Sequence, residues 1–296
     1  MPDYEVKIAD AFTTTRYAGN PCGVITSAEG LTNTQMQAIA RELNLSETSF
    51  VTPSRVADFR VQFFTPTKEI PLAGHPTIAT MHTLVEEGRI ELGEGARRVV
   101  QELSIGVLPV DIERRQDGHP RIVMTQAPPQ FQRRLDRNVY AQALGIAATD
   151  IVDDAPVQVV STGTPQAMVP VKSLSVLERL KPDLQHLSDL EEIGEYFSTH
   201  VFALEAYEAP NRAHSRHFAA SAGVPEDPVT GSATGAMAAY LWRYGLLREP
   251  QYVVEQGHII GRPGLVEVEI EAEGDEPTVV RIAGSAVTVL RGTITV

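Results

Sequence analysis

The chain has 296 residues, of which 43% are hydrophobic and 21% are charged, and its formal net charge is −13. This length suits one large domain or two of ordinary size, with the composition of a globular protein. The negative charge argues against nucleic acid and anionic membrane surfaces as main partners, but a local site for an acidic metabolite stays open.

The chain has a single cysteine, Cys22, so no intramolecular disulfide can form, and no His or Cys cluster has the spacing of a zinc site. A chain with one cysteine and no disulfide is typical of a reducing compartment, so we expect a cytoplasmic location. The first residues, MPDYEVKIADAF, lack the basic and apolar regions of a signal peptide. No apolar stretch approaches the roughly 18 residues of a membrane span, so we expect no membrane partner.

In the first half of the chain, alternation predicts a strand over residues 4–9, and TTTRYAGNPCG after it is rich in turn residues and predicts a loop. Helical spacing predicts a helix over residues 32–43, capped by Thr32 or Asn33. An uncharged helix is predicted to begin at Pro76, whose missing N–H is tolerated in a first turn. Further strands are predicted around residues 49–51, 59–64, 98–113 and 119–126.

The Pro-rich segment QAPPQF, residues 126–131, predicts a boundary between a lobe of residues 1–128 and a lobe of residues 129–296. Helices are predicted at 138–144, twice within 172–198, and in the uncharged stretch after Asp227. Strands are predicted at 156–161, 200–207, 216–220, 252–255, 265–271, 278–283 and 286–296.

The two halves repeat one plan, in which a strand, a polar loop ending in Pro and an uncharged helix follow in order. The matching segments are FTPTKEIPLAGHP-TIAT and FAASAGVPEDP-VTGSATG. A helix that is apolar on all sides is normally buried. The sequence therefore predicts an α+β fold of two similar lobes, each a mixed, mainly antiparallel curved sheet around one central buried helix, with the two helix N-termini facing across a cleft.

Asp227 and His75 each precede the Pro of one uncharged helix, so both are predicted to occupy or adjoin its N-cap. Asp is a favoured capping residue, and capping and function are equally good interpretations of Asp227. His75 is a poor cap, which favours a functional role for this ring.

Small residues at the helix starts leave N–H groups accessible, as an anion site requires, or they only allow close packing. These residues are Ala73 and Gly74 in one half and Gly231, Ser232 and Gly235 in the other.

Glu47 lies between a predicted helix and a predicted strand, where it could be a partly buried base, a solvated loop glutamate or a capping-box partner. From the residues alone, the last two interpretations are the better ones. Cys22 has no partner nearby in sequence and is better interpreted as a small buried hydrophobe. Gln256 and Gly257 begin a further loop, QGHIIGRPG, that is rich in turn residues.

Five motifs together resemble the PhzF family of phenazine-biosynthesis isomerase-like proteins, in the family's order and over nearly the whole chain. The motifs are DAFTTTRYAGNPCGV, LNLSETSFV, FTPTKEIPLAGHPTIAT, EDPVTGSATG and QGHIIGRPG. The resemblance implies a two-lobed fold like that of diaminopimelate epimerase, a cleft between the lobes, a homodimer, and no cofactor or metal. It also implies that Glu47 is the base, with His75, Asp227 and Ser232 as the other site residues.

The related epimerases use two cysteines, one at each helix start, and the equivalent positions here are Ala73 and Thr230. With Cys22 as the only thiol, two-thiol racemisation is chemically excluded. Two functions are then open: a cofactor-independent isomerase that moves a proton on a small carboxylated metabolite, or a metabolite-binding or protein-interacting member without turnover. The intact set of Glu47, His75, Asp227 and Ser232 favours the isomerase, with Ala73, Gly74, Thr230 and Gly231 binding the substrate.

Overall fold

The structure is a computed structural model that describes residues 2–296. Its internal contacts divide the chain into two compact units. The first unit runs to Met124 and also includes Ala283–Val296, and the second unit is Thr125–Ile282. The predicted boundary after residue 128 lies close to this division. The prediction differs for residues 283–296, which belong to the first unit because the last strand pairs antiparallel with the first strand.

In the first unit, one mixed sheet has the strand order β18–β1–β2–β3–β4–β6–β7–β8. The pairs β2–β3 and β4–β6 are parallel and the other pairs are antiparallel, while the short β5 pairs with the end of β4. The elements are β1 (Asp3–Ala11), β2 (Asn20–Ile25), α1 (Asn33–Leu43), β3 (Glu47–Thr52), β4 (Phe59–Phe64), β5 (Glu69–Ile70), α2 (Gly74–Glu86), β6 (Arg97–Leu103), β7 (Gly106–Arg114), β8 (Pro120–Thr125) and β18 (Ala286–Thr295).

The second unit contains a sheet with the order β9–β10–β11–β12–β13–β15–β16, in which β11–β12 and β13–β15 are parallel. The short β14 pairs antiparallel with β13. The elements are β9 (Gln130–Arg134), α3 (Arg137–Leu144), β10 (Gln158–Ser161), β11 (Pro165–Pro170), α4 (Leu174–Glu178), α5 (Leu184–Ile193), β12 (Ser198–Ala203), β13 (Ala213–Ala219), β14 (Val224–Asp227), α6 (Gly231–Arg243), β15 (Gln251–Gln256), β16 (Gly264–Glu273) and β17 (Glu276–Gly284).

The two sheets have the same order of parallel and antiparallel pairs, which confirms the internal repeat expected from the sequence. The pairs β1–β2, β2–β3, β3–β4 and β4–β6 match β10–β11, β11–β12, β12–β13 and β13–β15 in turn. A short strand and then a buried helix follow in both units, β5 and α2 in the first and β14 and α6 in the second. The predicted α+β class with two similar lobes is therefore confirmed.

Both central helices are buried over most of their length, α2 from His75 to Leu84 and α6 from Ala233 to Leu241. No Lys, Arg or acid interrupts either run, so each helix can be surrounded by apolar strands on all sides. Helix α2 packs against β1, β2, β3 and β18, and α6 packs against β10, β11 and β16. Within residues 2–296, no helix combines the length and the apolar character needed to cross a bilayer.

The helix starts differ from the sequence prediction. Helix α2 begins at Gly74, with Ala73 as N-cap, so His75 and Pro76 lie inside the first turn. Helix α6 begins only at Gly231, with Thr230 as N-cap, and Asp227 ends strand β14. Asp227 therefore does not cap the helix, because it still belongs to β14, and Pro228, Val229 and Thr230 separate it from the first helical residue.

The prediction of a loop over TTTRYAGNPCG, which ends at residue 23, is partly wrong. Asn20–Ile25 forms the buried strand β2. Gly, Asn and Pro signal turns in a sequence, but here β2 is paired on both sides, by β1 and by β3. A Cβ at Gly23 would lie 2.9 Å from the Leu43 side chain and 3.1 Å from that of Thr48. The small residues therefore serve close packing inside a sheet, which a local pattern does not reveal.

Candidate active site

In the first unit, the structure brings Glu47 and His75 into direct contact. Glu47 is the first residue of β3 and His75 is the second residue of α2. The Nε2 atom of His75 lies 3.2 Å from Oε2 of Glu47, and the exposed fractions of the two side chains are 6% and 20%. A half-buried carboxylate that can reach solvent or a ligand is thus held by a buried ring.

The partners of His75 define which ring nitrogen carries the proton. The Asn20 amide group Nδ2 lies 3.2 Å from Nδ1 of His75, and because an amide nitrogen only donates, Nδ1 accepts. Nε2 then carries the proton, and it lies 3.2 Å from Oε2 of Glu47 and 3.4 Å from the Ser46 hydroxyl oxygen. Burial lowers the pKa of His75 to about 3, so the ring is neutral at physiological pH and lies against the carboxylate without a positive charge.

The first turn of α2 has no side-chain cap, because Ala73 has no polar atom to offer. Its carbonyl oxygen accepts a hydrogen bond from the Thr77 hydroxyl at 2.7 Å. Gly74 is half-buried and carries no side chain above the turn. N–H groups at such a helix start, together with the helix dipole, are suited to a carboxylate or enolate.

In the second unit, Asp227 and Thr230 form a short hydrogen-bonded chain before α6. The Thr230 hydroxyl donates to Oδ2 of Asp227 at 2.5 Å, and it does not cap its own helix. Asp227 is buried, with an exposed fraction of 9%. The carboxylate therefore has a fixed direction at the start of the helix although it lies outside the helix itself.

The side chain of Gln256, at the end of β15, holds this arrangement together. Its Nε2 donates to the Asp227 carbonyl oxygen at 2.8 Å and to the Thr230 hydroxyl at 3.1 Å. Its Oε1 accepts from the Thr230 N–H at 3.1 Å and from the Ser215 hydroxyl at 3.2 Å. The sequence marks Gln256 only as part of an unusual loop, and its contact with the Asp227 segment, 29 positions away, appears only in the fold.

Ser232, in the first turn of α6, accepts a hydrogen bond from Nε2 of Gln166 at 3.4 Å. Oε1 of Gln166 in turn accepts from the Ser198 hydroxyl at 3.2 Å. Gln166 and Ser198 are buried and lie on the adjacent strands β11 and β12. Sequence reasoning missed both residues, since a lone Gln and a lone Ser in buried strands carry no recognisable signal.

The two acids of EDPVTGSATG have separate roles. Glu226 forms a bidentate ion pair with Arg216, at 2.9 Å and 2.7 Å, which ties β14 to β13. Because side chains alternate along a strand, the neighbouring Asp227 points to the opposite face. Only Asp227 is therefore available to the candidate site.

Cys22 is fully buried on β2, as the sequence predicted. Burial, together with the nearby Glu47 carboxylate, raises the pKa of its thiol well above the ordinary range. A thiol that stays protonated is a poor nucleophile and a poor base.

The structure thus joins the predicted site residues in two groups, Glu47 with His75 in one unit and Asp227 with Thr230 in the other. Ala73 and Thr230, expected from the resemblance at equivalent places, are indeed the N-caps of the two matching helices. Gly74, Gly231 and Ser232 lie in the first turns of these helices.

Comparison with known proteins agrees with this architecture. The family model described as phenazine biosynthesis-like protein matches residues 9–292. An uncharacterised isomerase of Clostridium acetobutylicum is 39% identical, with 97% of each chain covered. The trans-2,3-dihydro-3-hydroxyanthranilate isomerase of Pseudomonas chlororaphis is 36% identical, over 97% of this chain and 98% of its own.

Among solved structures, a PhzF-family phenazine biosynthesis protein of Bacillus anthracis superimposes with a TM-score of 0.91 at 37% identity, and all of both chains is covered. The agreement of family model, relatives and fold over nearly the full length leaves one assignment. The chain belongs to the PhzF family of phenazine biosynthesis-like proteins, and it is an isomerase.

Proposed function

We propose that the protein is a cofactor-independent isomerase that moves a proton on a small carboxylated metabolite, with Glu47 as the proton-transferring base. The observation that carries the proposal is the contact between the Glu47 carboxylate and the N–H of a neutral His75. A general base needs a carboxylate that is ionised, oriented and accessible. The ring of His75 orients Glu47 without bringing a positive charge that would make it a weaker base.

The first turns of α2 and α6 are proposed to bind the substrate. Ala73 and Gly74 leave the start of α2 without a side-chain cap, and Thr230 and Gly231 do the same for α6. Each helix dipole favours a carboxylate or a developing enolate there, and preorganised donors of this kind stabilise a transition state. We assign Asp227 and Ser232 to the same substrate, acting together with Glu47 and His75.

The internal repeat supports a mechanism with one base. In the parallel pair β2–β3, Cys22 is opposite Glu47, and in the matching pair β11–β12, Gln166 is opposite Ser198. Ser198 therefore occupies the position in the second unit that Glu47 occupies in the first. A hydroxyl is not a base at neutral pH, so we propose that Glu47 both removes the proton and returns it to another carbon.

The experiment is carbon-bound deuterium incorporation in heavy water, followed by NMR, with ligand binding measured by calorimetry. The first compound is trans-2,3-dihydro-3-hydroxyanthranilate, on which the P. chlororaphis relative acts by name, followed by other cyclic, amino-substituted carboxylic acids. The Glu47→Gln variant should lose exchange and keep its affinity, because the helix starts rather than this side chain hold the anion.

Glu47→Asp should be intermediate, since shortening the side chain moves the carboxylate by about 1 Å and costs on the order of 10²-fold in rate. Glu42→Gln is the matched control, because Glu42 is exposed on α1 a few residues earlier. If the Glu47→Gln variant exchanged deuterium at the wild-type rate, the base would have to be another group. Binding without any exchange in the wild-type protein would favour the alternative, a metabolite-binding member without turnover.

A crystal structure with such a ligand tests the shared site directly. The proposal requires that Glu47, His75, Asp227 and Ser232 all lie within about one substrate length, roughly 10 Å, of the same molecule. A ligand that contacts only one of the two groups would contradict it. The homodimer and the cytoplasmic location stay predictions, to be tested by sedimentation and by fractionation.

A further inference from the structure

A second cluster of ionisable side chains lies in the second unit, next to Gln256 in the chain. His214 on β13, Glu255 on β15 and His258 in the 3₁₀ turn His258–Ile260 each offer a ligand atom within 4.8 Å of the others. His214 and Glu255 are register partners in the parallel pair β13–β15. The sheet itself therefore fixes two of the three groups.

The spacing within the cluster resembles that of metal ligands. His214 donates from Nδ1 to Oε2 of Glu255 at 3.3 Å, which leaves Nε2 as the ring nitrogen with a lone pair, and both side chains are fully buried. Four ligands bound tetrahedrally to Zn²⁺ at about 2.0–2.1 Å are about 3.3 Å apart. The three ligand atoms lie within 4.8 Å of one another, so the set has to contract when it closes around an ion.

Two ring nitrogens in this cluster are buried without a hydrogen-bond partner among residues 2–296, Nε2 of His214 and Nδ1 of His258. Buried polar atoms are nearly always paired, so two orphaned nitrogens in one cluster require an explanation. An imidazole nitrogen with a free lone pair is the commonest protein ligand of transition metals. This observation is independent of the spacing and indicates the same kind of ligand.

Neighbouring groups already orient the three side chains. The Glu255 carboxylate accepts hydrogen bonds from the N–H of Tyr207 at 2.7 Å, the N–H of Glu208 at 2.9 Å and the Asn211 amide at 2.7 Å. The Tyr207 ring stacks on His258, with centroids 5.1 Å apart and planes at 26°. Outer contacts of this type hold metal ligands in place in metalloproteins.

We propose that His214, Glu255 and His258 bind a divalent transition-metal ion of the zinc type. Two imidazoles and one carboxylate are a donor set that suits Zn²⁺, with water as a further ligand. The ion links the 3₁₀ turn and the loop around Tyr207 to the strand that ends in Gln256. The proposal does not depend on the proposed reaction, and it gives the ion no part in proton transfer.

The test uses protein without an affinity tag, freed of metal by a chelator, and titrated with Zn²⁺ alone by calorimetry. We expect one ion per chain, and with Co²⁺ the visible absorption of a four-coordinate site. His258→Ala should weaken binding at least on the order of 10–100-fold. His186→Ala, which removes a half-buried histidine of α5 outside the cluster, should bind Zn²⁺ like the wild type.

His258 is half-buried in a short turn, and its replacement leaves the sheet intact, which circular dichroism would verify. The Co²⁺ spectrum of the wild-type protein needs no variant at all. Absence of saturable Zn²⁺ binding, an unchanged affinity in His258→Ala, or a loss of binding in His186→Ala would each overturn the assignment.

Discussion

Cys22 lies opposite Glu47 in the β2–β3 pair, which places the only thiol beside the proposed base. Burial keeps this thiol protonated, and its Sγ donates to the Gly23 carbonyl oxygen at 3.2 Å. We therefore expect Cys22→Ala to keep turnover within a few-fold of wild type. The folded protein should also react with a thiol reagent only after unfolding. Loss of activity with an intact circular dichroism spectrum would assign the thiol a chemical role that its burial argues against.

Gln256 is a positioning residue, because it reaches Asp227 and Thr230 by main-chain and side-chain hydrogen bonds. Gln256→Ala removes all of them and leaves buried polar groups without partners, at a cost of about 1–3 kcal/mol in the free energy of unfolding. A displacement of Asp227 by about 1 Å should lower the rate on the order of 10²-fold.

Deuterium exchange and urea unfolding of Gln256→Ala measure these two effects separately. Gln251→Ala, at the exposed beginning of the same strand, is the matched control and should change neither. An exchange rate equal to wild type in Gln256→Ala would mean that the network only stabilises the fold.

At the scale of elements, the turn after β15 depends on one glycine. Gly257 has φ +86°, and a Cβ there would lie 2.2 Å from the Arg262 carbonyl oxygen and 2.7 Å from that of Pro228. Gly261, in the same turn, has φ +74°, and a Cβ there would meet no atom within 4 Å among the residues described. The two glycines therefore share the backbone conformation and differ in the space around them.

This pair gives a matched stability test. Gly261→Ala should cost about 1–2 kcal/mol in the free energy of unfolding, the penalty of a left-handed conformation alone. Gly257→Ala should cost clearly more, because backbone atoms of two neighbouring segments have to move. Chemical denaturation of both variants provides the measurement, and equal losses would show that the turn relaxes without strain.

At the scale of the whole molecule, buried histidines make the protein sensitive to acid. Burial lowers the pKa of His75 and His217 to about 3 and that of His82 to about 4, and burial also puts the pKa of His200 well below its usual value. In the unfolded chain these rings take up protons near pH 6.5, which the folded state resists. The unfolded state then binds more protons, so stability falls as the pH drops below about 6.5.

Glu191 has the opposite effect over part of this range. Burial raises its pKa to about 7, so between pH 7 and its unfolded value near 4.5 the folded state holds one proton more at this site. One such group does not cancel four histidines, so the net expectation is a decreasing free energy of unfolding from pH 6.5 to pH 4.5. Urea unfolding across this range measures the slope, and the prediction fails if stability is constant or increases.

The sequence predicted most elements because their signals are local. Residues 59–64 alternate as a strand and form β4 within the same bounds. Thr32 caps α1 through a capping box with Gln35. The predicted start of α6 is too early, because Pro after Asp227 is equally compatible with a strand end, and only the pairing of β14 with β13 decides between them.

By itself the sequence determined the repeated plan and the two uncharged helices, which follow from residue type and periodicity, and the resemblance of its motifs to a family supplied the proposed site residues. Tertiary structure alone decided which of them touch. It brought Nε2 of the neutral His75 to 3.2 Å from Oε2 of Glu47 and tied Asp227 to Gln256. It also put His214 opposite Glu255, 41 positions later in the chain. The physical reason is that strand register and helix packing bring distant residues within hydrogen-bond distance, and no local sequence pattern encodes such a distance.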